Sequence, residues 1–209
     1  TYGKNSNVDK VRLMGEAPDS NENAILGSIQ IDEAFNRELE IKSYETIKLG
    51  VDAGKGNGRD SSVIYEKRDN QLRKILDRKD MKLPELKRYI IHHCLENSQK
   101  LVIVNVDGTG LGTGLAQELE EQNIHNMIIN DVQFAAKAKN QKEFNNKRTE
   151  MYFELARNID NLDIEEDQEL KRELLAQIYA FDNKGRFALI SKDKIKDMIP
   201  DDAGTSVLD

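Results

Sequence analysis

The chain has 209 residues, 38% hydrophobic and 33% charged, with no tryptophan; that length can bury one sizeable core, and the balance excludes a disordered chain. Acidic residues outnumber basic ones 38 to 31 for a formal charge of −7, which argues against a strong, salt-sensitive duplex binder working through bulk charge. No apolar run reaches bilayer length and the first residues carry no apolar leader, so a cytosolic protein is expected, and Cys94, the single cysteine, excludes an intramolecular disulfide or a cysteine-based zinc cluster.

Residues 1–43 are polar. Within them Glu16–Ser28 reads as a loop and Ile31–Leu39 as a short helix, together an approach segment. From Tyr44 the pattern changes. "TIKLGVDA", "DSSVIYEKRD" and "QLRKILDRKD" read as three strands joined by the turn chemistry of "GKGNGR" and "RDNQ", an antiparallel meander. Lys82–Gln99 has apolar residues at Leu83, Leu86, Ile90 and Leu95 near helical spacing, with Pro84 in the first turn and Cys94 expected on the buried side.

"KLVIVNVDGTG" then has the β-branched, mostly apolar run of an interior strand covered on both faces, followed by a helix in "GTGLAQELEEQNI" and a strand in "NMIINDVQF". "NQKEFNNKRTEMYFELARNI" and "EDQELKRELLAQIYAF" have helical periodicity, the second unwinding toward a strand after Arg172, and "GRFALIS" reads as a last strand before a loop and a terminal helix. A meander, a βαβ unit and further helices predict an α/β sheet with helices on its faces.

Asp52 and Asp107 end two of these core strands, and ligands of open α/β sheets gather at carboxyl ends of adjacent strands. Converging carboxylates repel one another, and a divalent cation removes that repulsion while supplying a means of phosphodiester cleavage. "IPDDAG" offers Asp201 and Asp202 as a third acid, whereas Asp60 in "GRDSS" reads equally as a turn cap. Taken alone, an acid–glycine pair at a strand end is also ordinary turn chemistry.

The glycines of "DGTGLGTGL" match neither the dinucleotide fingerprint nor a P-loop, so a sharp turn beside Asp107 with space for a substrate backbone is the better reading. Basic residues crowd into Ala135–Arg148, which includes Lys137, Lys139, Lys147 and Arg148, while Asn158–Glu169 is strongly acidic. Lys147 and Arg148 open an amphipathic helix, where they form either a solvated face or a clamp on a phosphate backbone. His92, His93 and His125 have no ligand spacing and read as structural, as do Phe144, Tyr152 and Phe153.

These motifs resemble the nuclease domain of the tailed-phage terminase large subunit, within the RNase H-like (retroviral integrase) superfamily. "YGKNSNVDKVRLMGEAP" is similar to that family's approach segment, "LGVDAGKGNGRDSSVIY" and "VIVNVDGTGLGTGLAQEL" to its two catalytic strands, "NNKRTEMYFELA" to its Lys-Arg helix, and "IPDDAGTSVLD" loosely to its third acidic motif. The resemblance implies an RNase H-like mixed central β-sheet, an antiparallel meander plus parallel strands, flanked by helices. It also implies that Asp52, Asp107 and one of Asp201 or Asp202 bind two Mg²⁺ or Mn²⁺ ions; Gly204 stands where a further acid is usual, which displaces that role to Asp209 or removes it.

The activity implied is metal-dependent endonuclease cleavage of double-stranded DNA, with little sequence specificity, during viral genome packaging in the host cytoplasm. Residues 1–43 would then follow an ATPase domain whose Walker A motif is not in this sequence, and 44–209 would be the nuclease. The implied partners are that ATPase half, the small terminase subunit and the portal protein. Two other classes stay open on the residues alone: an actin-like or sugar-kinase-like ATP-binding module, for which too little chain separates Asp52 from Asp107, and a catalytically idle DNA-binding or assembly domain.

Overall fold

The computed structural model describes residues 23–42 and 44–190. Strand β1 (Thr46–Asp52) pairs antiparallel with β2 (Ser62–Arg68), and β2 with β3 (Gln71–Arg78), which is the expected meander. On the other side of β1 lies β4 (Leu101–Asp107), parallel to it, and beyond that β5 (Met127–Val132), parallel to β4. A two-residue strand that periodicity did not predict, β6 (Asp163–Ile164), pairs parallel with β3 and completes a mixed six-stranded sheet in the order β5-β4-β1-β2-β3-β6.

Two helices complete the crossovers, α2 (Leu83–Glu96) between β3 and β4 and α3 (Leu111–Glu120) between β4 and β5, with α1 (Ser28–Phe35) preceding the sheet. After β5 come α4 (Lys147–Asn158), a 3₁₀ turn at Ile159–Asn161, α5 (Gln168–Leu175) and a hairpin of β7 (Tyr179–Phe181) and β8 (Phe187–Leu189). Among the described residues no helix is long and apolar enough to cross a membrane.

Helix boundaries follow local hydrogen bonding. The periodic stretch from Asn140 becomes helical only at Lys147, because the Asn146 side chain accepts the Thr149 amide at 2.9 Å and caps the first turn. Likewise α1 starts at Ser28 rather than Ile31, where the Gln30 side chain accepts the Gly27 amide at 3.2 Å. Asp167 caps α5, and the chain leaves that helix in time for Tyr179–Phe181 to become the expected strand.

Strand alternation divides the sheet into two unlike faces. Ile47, Leu49 and Val51 of β1 and Val102, Val104 and Val106 of β4 are buried against Leu86, Ile90 and Cys94 of α2 and Leu115 and Leu119 of α3. Leu95 turns outward instead, 54% exposed, and Cys94 takes the inward position. The opposite face of β4 corrects the expectation of a strand covered on both sides: Leu101 is exposed and Ile103, Asn105 and Asp107 are only half-buried.

A second core lies toward β3 and β6, where Phe144, Phe153, Tyr179 and Phe187 pack with Ile25, Leu26, Ile31, Ile159 and Ile164. Phe153 and Phe187 pack as a tilted pair with ring centroids 4.4 Å apart. Each such side chain contributes roughly 1.5–3 kcal/mol by leaving water, so the aromatic reading of Phe144 and Phe153 as core holds, and Tyr152 packs at its margin.

Candidate metal centre

Val51 stands beside Val106 in the parallel ladder. The next residue on each strand is Asp52 or Asp107, so the two acids end neighbouring strands about 4.8 Å apart, on the face turned away from α2 and α3. Although Asp52 is exposed at the surface, the surrounding walls remove enough water to push its carboxyl above the ordinary carboxylate range. The charges of Asp107 and Asp60 push it in the same direction, against a hydrogen bond from the Ala53 amide.

Asp107 is held rather than loose. Its Oδ1 accepts the Thr109 amide at 3.0 Å and the Thr109 hydroxyl at 2.9 Å, while Oδ2 has no hydrogen-bond partner among the described residues. Behind it, α3 begins in direct contact with the strand end: a Cβ on Gly112 would sit 1.7 Å from the Asp107 carbonyl oxygen. That glycine is required by the protein's own packing, so the glycine-rich run is only partly a matter of substrate space.

The acids open into a cleft of about 610 Å³. Its floor is the open sheet face, and in register across it lie Val132, Asp107, Asp52, Val63 and Asp77, with Asn130, Asn105, Gly50, Tyr65 and Lys74 in the next row. A one-residue irregularity in the β2–β3 pairing skips Ile75 and brings Lys74 and Asp77 to the same side. Met151 of α4 and Glu169, Leu170 and Glu173 of α5 supply the facing wall.

That wall is fastened to the floor through Asp167. Its carboxylate takes the Tyr65 hydroxyl at 2.7 Å and the Lys74 ammonium at 2.5 Å, and it caps α5 by accepting the Glu169 and Leu170 amides. Burial alone would raise this carboxyl, but the Lys74, Tyr65 and backbone hydrogen bonds outweigh it and bring it down to about 2. Burial and the Asp167 charge together push the Tyr65 phenol far above its ordinary range. Lys74 also meets Asp77 at 3.1 Å.

None of the candidate DNA-contacting cations lines the cleft itself; their segments adjoin it at the rim beside Phe134. Backbone bonds from Lys147 to the Ala136 carbonyl, 2.8 Å, and from Arg148 to the Phe134 carbonyl, 3.1 Å, set the start of α4 against the loop carrying Lys137 and Lys139. Phe134 lines the cleft, so this loop borders it. Buried Glu150 pins the same loop by accepting the Lys139 and Asn140 amides at 2.7 and 2.8 Å.

Thus the structure pairs Asp52 with Asp107 at adjacent strand ends, and Asp60 lines the same cleft without joining them in a three-acid cluster. Asp201, Asp202 and Asp209 lie outside the described residues, and among the described residues no group of three or more metal-ligating side chains comes together. The pair nevertheless fits a hard divalent cation: two carboxylates at adjacent strand ends, one strained by the other's charge, with an unengaged oxygen facing the cleft. Two of the three histidines have a carboxylate partner within the fold. His93 Nε2 lies 2.8 Å from the buried Glu66 carboxylate, which Arg68 also contacts, and His92 faces Glu96 on the helix surface.

Sequence reasoning missed Asn105, Tyr65, Lys74, Asp77 and Asp167 as cleft residues. Alternation carried a signal for one of them, since Asn105 precedes Asp107 by two positions on the same strand face. For Tyr65, Lys74 and Asp167 no local signal exists, because the contact joins β2 and β3 to a helix cap far along the chain.

No family model and no curated protein matches the chain. Among solved structures it is similar to the nuclease domain of the large terminase subunit of bacterial virus Sf6, with a TM-score of 0.61 at 16% identity over 83% of this chain and 90% of that one. A variant of that domain with manganese gives 0.59 at 14% identity, over 84% and 92%. The large terminase nuclease from thermophilic phage G20c with bound magnesium gives 0.51 at 16% identity, over 82% and 89%. The chain therefore has the RNase H-like α/β fold of these terminase nuclease domains, a mixed sheet flanked by helices.

Proposed function

We propose that this chain is a metal-dependent endonuclease of the terminase large-subunit type, cleaving double-stranded DNA with little sequence preference during viral genome packaging in the host cytoplasm. The observation that carries the reading is the Asp52–Asp107 pair at the ends of adjacent parallel strands, opening into a cleft. Asp52 and Asp107 would hold divalent metal, Mg²⁺ or Mn²⁺, with Asp201 or Asp202 as a third ligand and Asp60 or Asp209 as further acids; two ions are expected. Metal bound there supplies charge neutralisation of a phosphodiester and activation of water for in-line attack.

The protein's own residues prepare that chemistry. Thr109 fixes one oxygen of Asp107 and leaves the other toward the cleft. The rim of Lys137, Lys139, Lys147 and Arg148 would meet the phosphate backbone and position it without reading bases. Residues 1–43 would be the approach from an ATPase half, and 44–209 the nuclease; the small terminase subunit and portal protein are the proposed partners. An ATP-binding module is disfavoured by the short chain between Asp52 and Asp107, where such modules insert far more.

Incubation with supercoiled plasmid in Mg²⁺, Mn²⁺ or EDTA tests the reading. The unaltered chain should nick and linearise DNA only with metal, and Asp52→Asn and Asp107→Asn should each abolish cleavage while keeping the native circular dichroism spectrum. Full activity in either variant, purified free of contaminating nuclease, refutes it.

A further inference from the structure

Gly50 is out of place in the terms that govern sheets. It sits inside β1, paired on one side with Asn105 and on the other with Tyr65, where a β-branched or aromatic residue packs best and a glycine weakens the strand. Its backbone is not left-handed, so conformation does not demand glycine. Among the described residues a Cβ built on it meets nothing within 4 Å, so crowding by them does not demand it either. Gly112, by contrast, is explained by the Asp107 carbonyl pressed against it. No described residue accounts for Gly50, and its exposed place on the cleft floor leaves room for an occupant.

Its surroundings define that occupant's path. Gly50 lies two residues before Asp52 on the same face and lines the cleft floor. The side chains flanking it are fixed: Asn105 donates to the Leu49 carbonyl at 3.1 Å and accepts from Asn130 at 3.0 Å, and Tyr65 is held by Asp167. The neighbouring strands run about 5 Å to either side, so Gly50 opens a trough in the floor between the Asn105 and Tyr65 side chains.

We propose that Gly50 is a positioning residue, the side-chain-free floor over which the backbone of the substrate strand passes to bring its phosphodiester to Asp52 and Asp107. This rests on the nuclease reading above and adds where the strand lies. A side chain at Gly50 lifts that strand away from the acids, and displacements of about 1 Å in a reacting geometry cost roughly a hundredfold in rate.

Gly50→Ala and Gly50→Val in the full chain test the assignment by three readouts: thermal melting with and without Mn²⁺, anisotropy of a labelled duplex in EDTA, and steady-state plasmid cleavage. Both variants should melt at or above the parent, by up to about 3 °C for valine, because the site is open and the strand gains propensity. The stabilisation by Mn²⁺ should match the parent, since the acids are untouched. Duplex binding should weaken less than about tenfold through contacts at the rim, while kcat falls roughly a hundredfold in Gly50→Val and by an intermediate factor in Gly50→Ala.

Cleavage by Gly50→Val within about twofold of the parent overturns the floor assignment and leaves the nuclease reading intact. Loss of the Mn²⁺ stabilisation, or a lowered melting temperature in both variants, overturns it as well, because the effect would then run through the acids or the fold. Absence of metal-dependent cleavage by the parent overturns the nuclease reading and this inference with it.

Discussion

Replacing Asp52 by asparagine should make the metal-free protein more stable and the metal-loaded protein less stable than the parent. Two carboxylates about 5 Å apart, the spacing of neighbouring strands, repel by roughly 1 kcal/mol under water-like screening and roughly 3 kcal/mol at an effective dielectric of 20. Exposure of Asp52 to the cleft favours the lower figure, and the Asp60 charge adds in the same direction. For a domain of this size 1 kcal/mol corresponds to about 2–4 °C in Tm, so Asp52→Asn should melt about 2–4 °C higher in EDTA.

A ligand at one hundred times its Kd stabilises by about 2.7 kcal/mol, which raises the parent by about 5–10 °C in saturating Mn²⁺. The variant, lacking one carboxylate, should gain little, so the two melting curves exchange order. Calorimetry or circular dichroism melts at neutral pH and low salt give the four temperatures needed. A variant that melts at or below the parent in EDTA refutes the repulsion, and equal stabilisation of both proteins by Mn²⁺ refutes Asp52 as a ligand.

Two glycines of one helix should respond in opposite senses. Gly112→Ala drives a Cβ into the Asp107 carbonyl and should destabilise by about 1–3 kcal/mol while slowing cleavage, whereas Gly114→Ala, with nothing within 4 Å, should stabilise by about 0.5–1 kcal/mol; chemical denaturation of both reads the difference. Asp167→Ala removes a helix cap, the Tyr65 bond and the Lys74 pair together and should cost about 2–4 kcal/mol by the same measurement. Because this carboxyl titrates lower in the folded protein, at about 2 against an ordinary 3.8, its contribution is complete above the ordinary range. It is lost as pH falls from there toward 2. The parent's advantage over Asp167→Ala should therefore shrink in acid melts below about pH 4 and hold constant above pH 5.

The strands that carry the acids were legible because their information is local. The apolar, β-branched runs of β1 and β4 announce strands and put Asp52 and Asp107 at their ends, and turn residues mark where the meander reverses. What escaped was decided at long range. The acidic run from Asn158 to Glu169 looks like a solvated surface, yet Asp163 is buried against Arg73 and Asp167 is half-buried against Lys74, partners that only folding supplies. Strand β6 has two ladder residues and no pattern to announce it. Nor could composition show that one face of β4 stays open, since Ile103 and Val104 read alike until the helices choose a side.

The two separate cores carry a consequence for how such a centre can change. The acids hang from the core built with α2 and α3, while the facing wall belongs to the aromatic core of α4, α5 and the β7–β8 hairpin. Where the cleft is spanned, Tyr65 and Lys74 reach across to Asp167. Substitutions on the wall can therefore retune the shape and charge of the cleft while Asp52 and Asp107 stay anchored elsewhere, and a weakened Asp167 clasp would widen the entrance before it disturbed either acid.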